Sequence, residues 1–269
     1  MRNSYQLEGQ IEAKYDKILN YDKQEIDNPD KYHPVRLLYL DRIRTIISII
    51  QRKFPEPGII RIGDIACAQG NIGLILAELG YQVFSVDINP TFIEYSKMKY
   101  EKGKMEWMVG NIDCLDFPEN MLDVAIVGEL IEHCAYPEEV VEKIMRYVRP
   151  GGLLILTTPN GARIKAGLPT FSQVLSKETR KLFEGRQFGP SGEDHLFLFK
   201  LGEVKYVVPS NARIVEKGYL GSTILVNKYS YHFLKLFPIR LVESSIRTLS
   251  RVPVVNSKTF GNIYAILVK

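Results

Sequence analysis

Ile59-Ile60-Arg61-Ile62-Gly63-Asp64-Ile65-Ala66-Cys67-Ala68-Gln69-Gly70-Asn71-Ile72-Gly73 reads as an apolar strand that gives way to small residues and then opens a helix. Val83-Phe84-Ser85-Val86-Asp87 follows as a second apolar run ending in an acid. Small residues let a ligand approach bare backbone amides, and an acid at the tip of the next strand can accept from ribose hydroxyls. The arrangement is that of a nucleoside-binding crossover. A dinucleotide site wants three glycines spaced for a pyrophosphate, whereas the first two small positions here are Ala66 and Ala68. A nicotinamide or flavin site and a purely structural strand-to-helix turn stay open on this segment alone.

Working outward, apolar runs alternate with helical periodicity as a doubly wound sheet requires. Helices are expected near 5–19, 35–53 and 70–79, the last stopped by Gly80, with strands at 59–65 and 82–87. A helix from Pro90 to about 101, a strand at 105–109, a fourth strand at Asp123–Val127 and a helix at 137–148 come next. The turn Arg149-Pro150-Gly151-Gly152 leads into a fifth strand, Leu153–Thr157. Beyond it lie a helical stretch around 172–184, a helix at 200–208, and strands at 212–219 and 260–268. The expected fold class is α/β, a doubly wound, seven-stranded, mostly parallel sheet with helices on both faces. Residues 1–55 are expected to form an N-terminal helical cap, 56–221 with 259–269 the core, and 222–258 a helical lid insertion.

The 269 residues suffice for one large core with additions, and a formal charge of +4 argues neither for nor against a polyanionic partner. Cys67, Cys114 and Cys134 are odd in number and lack CxxC spacing, which suggests reduced thiols. Met1 to Asn20 is polar and charged, and no apolar run reaches the roughly 20 residues of a spanning helix. A soluble, cytoplasmic protein is the expectation.

Ordered segments carry a family resemblance. Asp64-x-Ala66-x-Ala68-x-Gly70 is similar to motif I of the class I S-adenosylmethionine-dependent methyltransferases, acid-x-small-x-small-x-Gly. That cofactor carries a sulfonium and an ammonium and no phosphate, so an acid beside the loop is favourable. The resemblance implies that Asp64, Ala66, Cys67, Ala68, Gly70, Asn71 and Ile72 cradle S-adenosylmethionine, that Asp87 binds its ribose, and that Ile88 packs on the adenine. Gly110-Asn111-Ile112-Asp113 stands where the family carries Gly-Asp; the Asn111 carbonyl can accept from the exocyclic amine, and the Ile112 amide can donate to the ring. Asn28-Pro29 to Tyr39, and Gly128-Glu129-Leu130-Ile131-Glu132-His133, resemble elements of the ubiquinone-biosynthesis O-methyltransferases. By that likeness Arg36 bonds the cofactor carboxylate, and Gly128 and Glu129 border the cofactor.

Glu129, Glu132 and His133 would share one face of a helical turn, and His195, in Glu193-Asp194-His195-Leu196-Phe197, follows the fifth strand in a loop that the resemblance implies folds over the substrate pocket. Two chemistries use this set. His133 can act as a general base toward a hydroxyl, oriented by a glutamate. Alternatively Glu129, Glu132, His133 and His195 can hold magnesium, manganese or zinc, which would lower the hydroxyl's pKa. A structural helix cap is the third reading of His133. The expected function is methyl transfer to a heteroatom, oxygen foremost, of a small-molecule acceptor. A metal-dependent RNA 3′-end ribose methyltransferase is the alternative, because a Glu-x-x-Glu-His with a distant His also resembles those enzymes. The chain lacks the Lys/Arg stripe with interleaved aromatics that a phosphate-tracking groove needs. A non-catalytic cofactor-binding or membrane-associated module is a further alternative.

Tyr229 to Arg251 sets Phe233, Leu234, Leu236, Phe237, Ile239, Leu241, Val242, Ile246 and Leu249 among Lys235, Arg240, Arg247 and Arg251. This basic amphipathic stretch suits either a lid packed on its own domain or a peripheral membrane contact, and Pro238 should divide it into two short helices. Neither the acceptor nor the oligomeric state can be read from the sequence.

Overall fold

The computed structural model describes residues 1–163, 167–187, 195–222, 226, 229–249 and 257–269. In chain order these form helices α1 (Ser4–Leu7), α2 (Asp16–Gln24) and α3 (Pro34–Lys53), strand β1 (Arg61–Ile65), α4 (Asn71–Glu78), β2 (Gln82–Asp87), α5 (Pro90–Lys99) and β3 (Lys104–Val109). There follow β4 (Leu122–Gly128), α6 (Pro137–Tyr147), β5 (Val148–Pro159), α7 (Lys177–Lys181), β6 (Arg213–Ser222), α8 (Tyr231–Leu234), α9 (Ile239–Leu249) and β7 (Phe260–Val268). The strands stand in the order β3-β2-β1-β4-β5-β7-β6 in one seven-stranded sheet. β1 with β2, β2 with β3, and β4 with β5 pair parallel, and β5 with β7 antiparallel. The expected mostly parallel α/β sheet is therefore the observed one.

Two compact units divide the chain, residues 1–115 with 221–249, and residues 116–220 with 250–269. In the first, Pro34 and Pro90 occupy the opening turns of α3 and α5, where a missing N–H costs nothing. Gly80, at φ +98, ends α4 as expected. Leu7, Tyr15, Ile18 and Leu19 bury against Tyr95, so α1 and α2 lie on α5. Leu37 of α3 packs with Val226, Leu234, Val242 and Ile246, which seats α8 and α9. Each such side chain contributes about 2 kcal/mol by leaving water.

In the second unit β4 is buried along nearly its whole length, the signature of a strand covered on both faces. β5 starts at Val148, earlier than the expected Leu153, with an irregularity in its pairing between Leu122 and Val124. Phe171, Phe197 and Phe199 stack beneath the loops that follow, with ring centroids 4.7–5.6 Å apart.

Some elements differ from expectation. The single helix near 5–19 is replaced by α1, a 3₁₀ turn at Ala13–Tyr15, and α2. Asn3 and Gln6 form the capping box that opens α1, and Gly9 at φ +75 breaks the chain after its single turn. The stretch around 172–184 is α7 between two 3₁₀ turns, and the expected helix at 200–208 is one 3₁₀ turn, Val204–Val207. Pro238 separates α8 from α9. Glu193, Asp194 and Arg251 lie outside the described residues. No described helix is long and apolar enough to cross a membrane.

Candidate active site

β1 delivers the crossover loop, and its backbone takes an uncommon course. Ala66 and Ala68 adopt φ +57 and +47, the left-handed region, which costs an L-residue roughly 1–2 kcal/mol. Ties to β2 hold it there. The Cys67 N–H donates to the Val86 carbonyl at 2.9 Å, and the Ala68 N–H to Asp87 Oδ2 at 2.8 Å. Gly70, at φ +74, caps α4, and a Cβ there would fall 2.2 Å from Ser96 Oγ. Only glycine fits both the backbone angle and the space.

Asp64 is buried beneath the loop and accepts from the Gly73 N–H at 3.1 Å. Burial pushes its carboxyl up to about 7, the Gly73 bond opposes the rise, and the Asp87 charge adds to it. Asp87 also accepts from the Asn89 N–H at 2.9 Å, and burial raises its pKa despite both amide bonds. The residue expected to bind ribose thus also clamps the loop. Ile88 is exposed beyond it, Ile72 is half-buried on α4, and Cys67 keeps a thiol whose pKa burial pushes up.

Asn71 turns its side chain inward. Its Nδ2 donates to Asp22 Oδ1 at 2.7 Å and to Tyr39 Oη at 2.9 Å, while its Oδ1 accepts from the Lys99 ammonium. Lys99 and Asp22 form an ion pair with no exposure on either side, joined by Tyr95 Oη at 3.0 Å. Beside it Gln69 Nε2 donates to Glu25 Oε2 at 2.8 Å. Of these, Tyr39 closes the element that begins at Asn28, whereas Asp22, Glu25, Tyr95 and Lys99 are lone polar residues on amphipathic helices and carry no motif. Asn111 Oδ1 accepts from the Asp113 N–H at 3.1 Å and caps the turn in which Ile112 is buried, leaving a second lone pair on that oxygen. Arg36 reaches the Lys31 carbonyl at 3.4 Å, and its buried Nε has no hydrogen-bond partner among the described residues.

The second unit holds the acids and histidines. β4 ends at Gly128, and Glu129 follows at φ +55, so it does not share a helical turn with Glu132 and His133, which sit on a 3₁₀ turn. The expectation of one common face is corrected here. Glu129 Oε1 accepts from Thr157 Oγ1 at 2.9 Å and its Oε2 from Asn262 Nδ2 at 2.6 Å. Glu132 is fully buried, its Oε2 accepts from Thr158 Oγ1 at 2.9 Å, and its Oε1 stands 3.9 Å from His195 Nε2. The Leu196 N–H donates to the Glu132 carbonyl at 2.9 Å, fixing the loop that carries His195. The rings of His133 and His195 meet edge to face with centroids 4.7 Å apart.

Among the described residues, ligand atoms of Glu132, His133 and His195 lie within 4.8 Å of one another; Glu129 does not join that group, and its two oxygens accept from Thr157 and Asn262. Burial lowers the pKa of His195, against the pull of Glu129, which favours the neutral ring. The threonines and Asn262 that hold the two glutamates are the residues sequence reasoning missed. Thr157 ends the expected fifth strand and Thr158 follows it, which gives neither a sign of its partner.

Residues 63–156 match the family described as "Methyltransferase domain". A ubiquinone biosynthesis O-methyltransferase of Mesorhizobium japonicum is 30% identical over 141 residues, 51% of this chain and 57% of that protein. One of Rickettsia prowazekii is 27% identical over 121 residues, 44% of this chain and 48% of its own length. The chain thus spans about half the length of the curated relatives it matches. The solved plantazolicin methyltransferase BpumL, in complex with SAH, shares the fold at a TM-score of 0.56 and 18% identity, over 99% of this chain and 94% of that one. Residues 63–156 thus match a methyltransferase domain, and over about half its length the chain is similar to the ubiquinone biosynthesis O-methyltransferases.

Proposed function

We propose that the protein transfers a methyl group from S-adenosylmethionine to an oxygen of a small-molecule acceptor, with His133 as general base. The observation that carries the reading is the meeting of His133, His195 and buried Glu132 on one short turn and its facing loop. S-adenosylmethionine supplies a methyl carbon already activated by its sulfonium. Asp87 would accept from the ribose, Asn111 and Ile112 would hold the adenine edge, and Arg36, whose Nε has no hydrogen-bond partner among the described residues, would hold the carboxylate. His133 takes the acceptor's hydroxyl proton on a ring nitrogen, and His195, kept neutral by burial, lies beside it to orient the ring or share the proton. Alignment of acceptor oxygen and methyl supplies the larger share of catalysis, several kcal/mol by the effective-molarity argument. His133→Ala is expected to lower kcat by roughly 10²–10⁴-fold while leaving donor affinity nearly unchanged. Near-normal turnover with an identified acceptor refutes the base.

The spacing of Glu132, His133 and His195 favours a second reading, a divalent ion. One carboxylate and two imidazoles suit a borderline ion such as zinc or manganese, which would acidify the acceptor hydroxyl. S-adenosylhomocysteine release across an acceptor library, with and without chelator, separates the two. Chelator-sensitive turnover supports the ion, and turnover confined to RNA 3′ ends replaces the small-molecule reading.

A further inference from the structure

His133 ends a turn of three residues, Ile131–His133, and the chain leaves it through an extended Cys134. The turn closes on a His133 N–H to Leu130 bond at 3.0 Å and a long Cys134 N–H to Ile131 bond at 3.4 Å. Tyr136 then opens α6 without a side-chain cap. A piece of backbone this short is poorly fixed by its own bonds.

Two ties reach it from the segment that carries His195. The Glu132 carbonyl accepts from the Leu196 N–H at 2.9 Å, and the N–H of fully buried Ala135 donates to Gln187 Oε1 at 3.0 Å. His133 lies between the two tied residues, so together they set its place relative to His195. The first tie is backbone to backbone, whereas the second depends on one side chain. That side chain is itself aligned. Arg180, Glu184 and Gln187, on α7 and the 3₁₀ turn Glu184–Arg186 with the residue after it, meet Glu138, Tyr136 and Ala135 in reverse order. Arg180 is buried, bonds Glu138 and lies 5.2 Å over the Tyr136 ring, and Tyr136 Oη donates to Glu184 Oε1 at 2.6 Å.

We propose that Gln187 is a positioning residue for His133, acting through the Ala135 amide, a role in turnover that rests on His133 being the base. Without the Gln187 oxygen the buried amide loses its acceptor, and the turn regains one by shifting toward water and carrying His133 with it. Arg180 and Glu184 hold the arm in line.

Gln187→Leu keeps the bulk and removes the acceptor. Its kcat should fall about tenfold or more through misplacement of the base, with donor affinity and acceptor KM changed less than about threefold. Gln187→Glu, which returns an acceptor oxygen, should recover most of the loss. Once His133→Ala has removed the imidazole, adding Gln187→Leu should cost little more. Histidine ring signals in carbon–proton NMR spectra, assigned with His133→Ala, report the ring's surroundings without turnover; Gln187→Leu should shift the His133 signal and Gln187→Glu return it. Circular dichroism verifies folding, and Gln187→Ala, which also lacks the acceptor, replaces a leucine variant that melts below the assay temperature. Parent kcat with an unshifted His133 signal overturns the proposal, as does a loss that adds in full to that of His133→Ala. Near-normal turnover of His133→Ala with a shifted signal in Gln187→Leu removes the base and upholds Gln187 as the residue that places the ring.

Discussion

Lys99→Met tests whether the buried polar network of the first unit holds the cofactor loop. The Lys99 ammonium is fully buried and donates to Asp22 of α2 and to Asn71, the first residue of α4. Methionine keeps most of the volume but removes the cation. Asp22 is then left with two neutral donors, Asn71 Nδ2 at 2.7 Å and Tyr95 Oη at 3.0 Å, and the Asn71 carbonyl loses the Lys99 bond. An uncompensated buried charge costs about 3–5 kcal/mol, and the orphaned carbonyl, worth about 1–3 kcal/mol, falls within that range rather than adding fully. The melting midpoint should fall on the order of 10 °C. Asp22→Asn in the Lys99→Met background removes the stranded charge and should recover at least half of the loss, so the pair is strongly non-additive. Because Asn71 follows the loop directly, S-adenosylmethionine affinity measured by calorimetry should weaken about tenfold through lost preorganisation, with kcat at saturating donor little changed. A loss below about 1 kcal/mol, or additive single and double variants, refutes the reasoning.

Gly70→Ala should cost more than about 2 kcal/mol in urea denaturation, since it meets both a left-handed backbone and Ser96 Oγ. Adding Ser96→Gly should relieve only the steric part. Ala68→Gly should be neutral to about 1 kcal/mol stabilising, because relief of roughly 1–2 kcal/mol of strain is offset by greater unfolded-chain entropy. Asp87→Ala removes the clamp on the Ala68 and Asn89 amides together with the ribose acceptor, so donor affinity should drop more than tenfold by calorimetry.

Legibility followed periodicity and motif. β1, β2, β4 and β7 were readable because near-continuous apolar runs bounded by small or turn residues have few other uses. The helix expected near 5–19 is divided because its apolar spacing continues across Gly9, where the left-handed backbone ends the first turn. In the candidate site, Glu132, His133 and His195 were identifiable by type and spacing, but Glu129 was assigned a face it does not have. A positive φ at a non-glycine residue leaves no mark in sequence. The Asp22, Asn71, Tyr95 and Lys99 network was illegible for a different reason. It joins residues as far as 77 positions apart, each compatible with an exposed helix face until the tertiary fold brings them together.

Proton linkage separates the sulfonium reading from a neutral nucleoside ligand. Asp64 stands at about 7 instead of its ordinary 3.8, and Glu25 at about 7 instead of 4.5, both chiefly through burial. A raised carboxyl pKa means that the folded chain binds more protons than the unfolded one between those values. The stability these groups contribute is therefore present at low pH and declines as pH rises from about 4 to 7. His195 acts oppositely: its lowered pKa makes the unfolded chain the better proton binder below its ordinary 6.5, so its contribution is lost on acidification. A cation bound beside Asp64 favours the ionised carboxylate, so binding below pH 7 must expel a proton, and affinity should rise with pH by up to about tenfold per unit until it levels near 7. S-adenosylhomocysteine, with a neutral thioether in place of the sulfonium, should show a shallower slope, and Asp64→Asn should flatten the slope for both. Calorimetry at several pH values in buffers of differing ionisation enthalpy counts the proton directly. Equal slopes for the two ligands, or a slope that survives Asp64→Asn, would mean that the acid under the loop does not sense the donor's charge, and its place in the cofactor site would have to be given up.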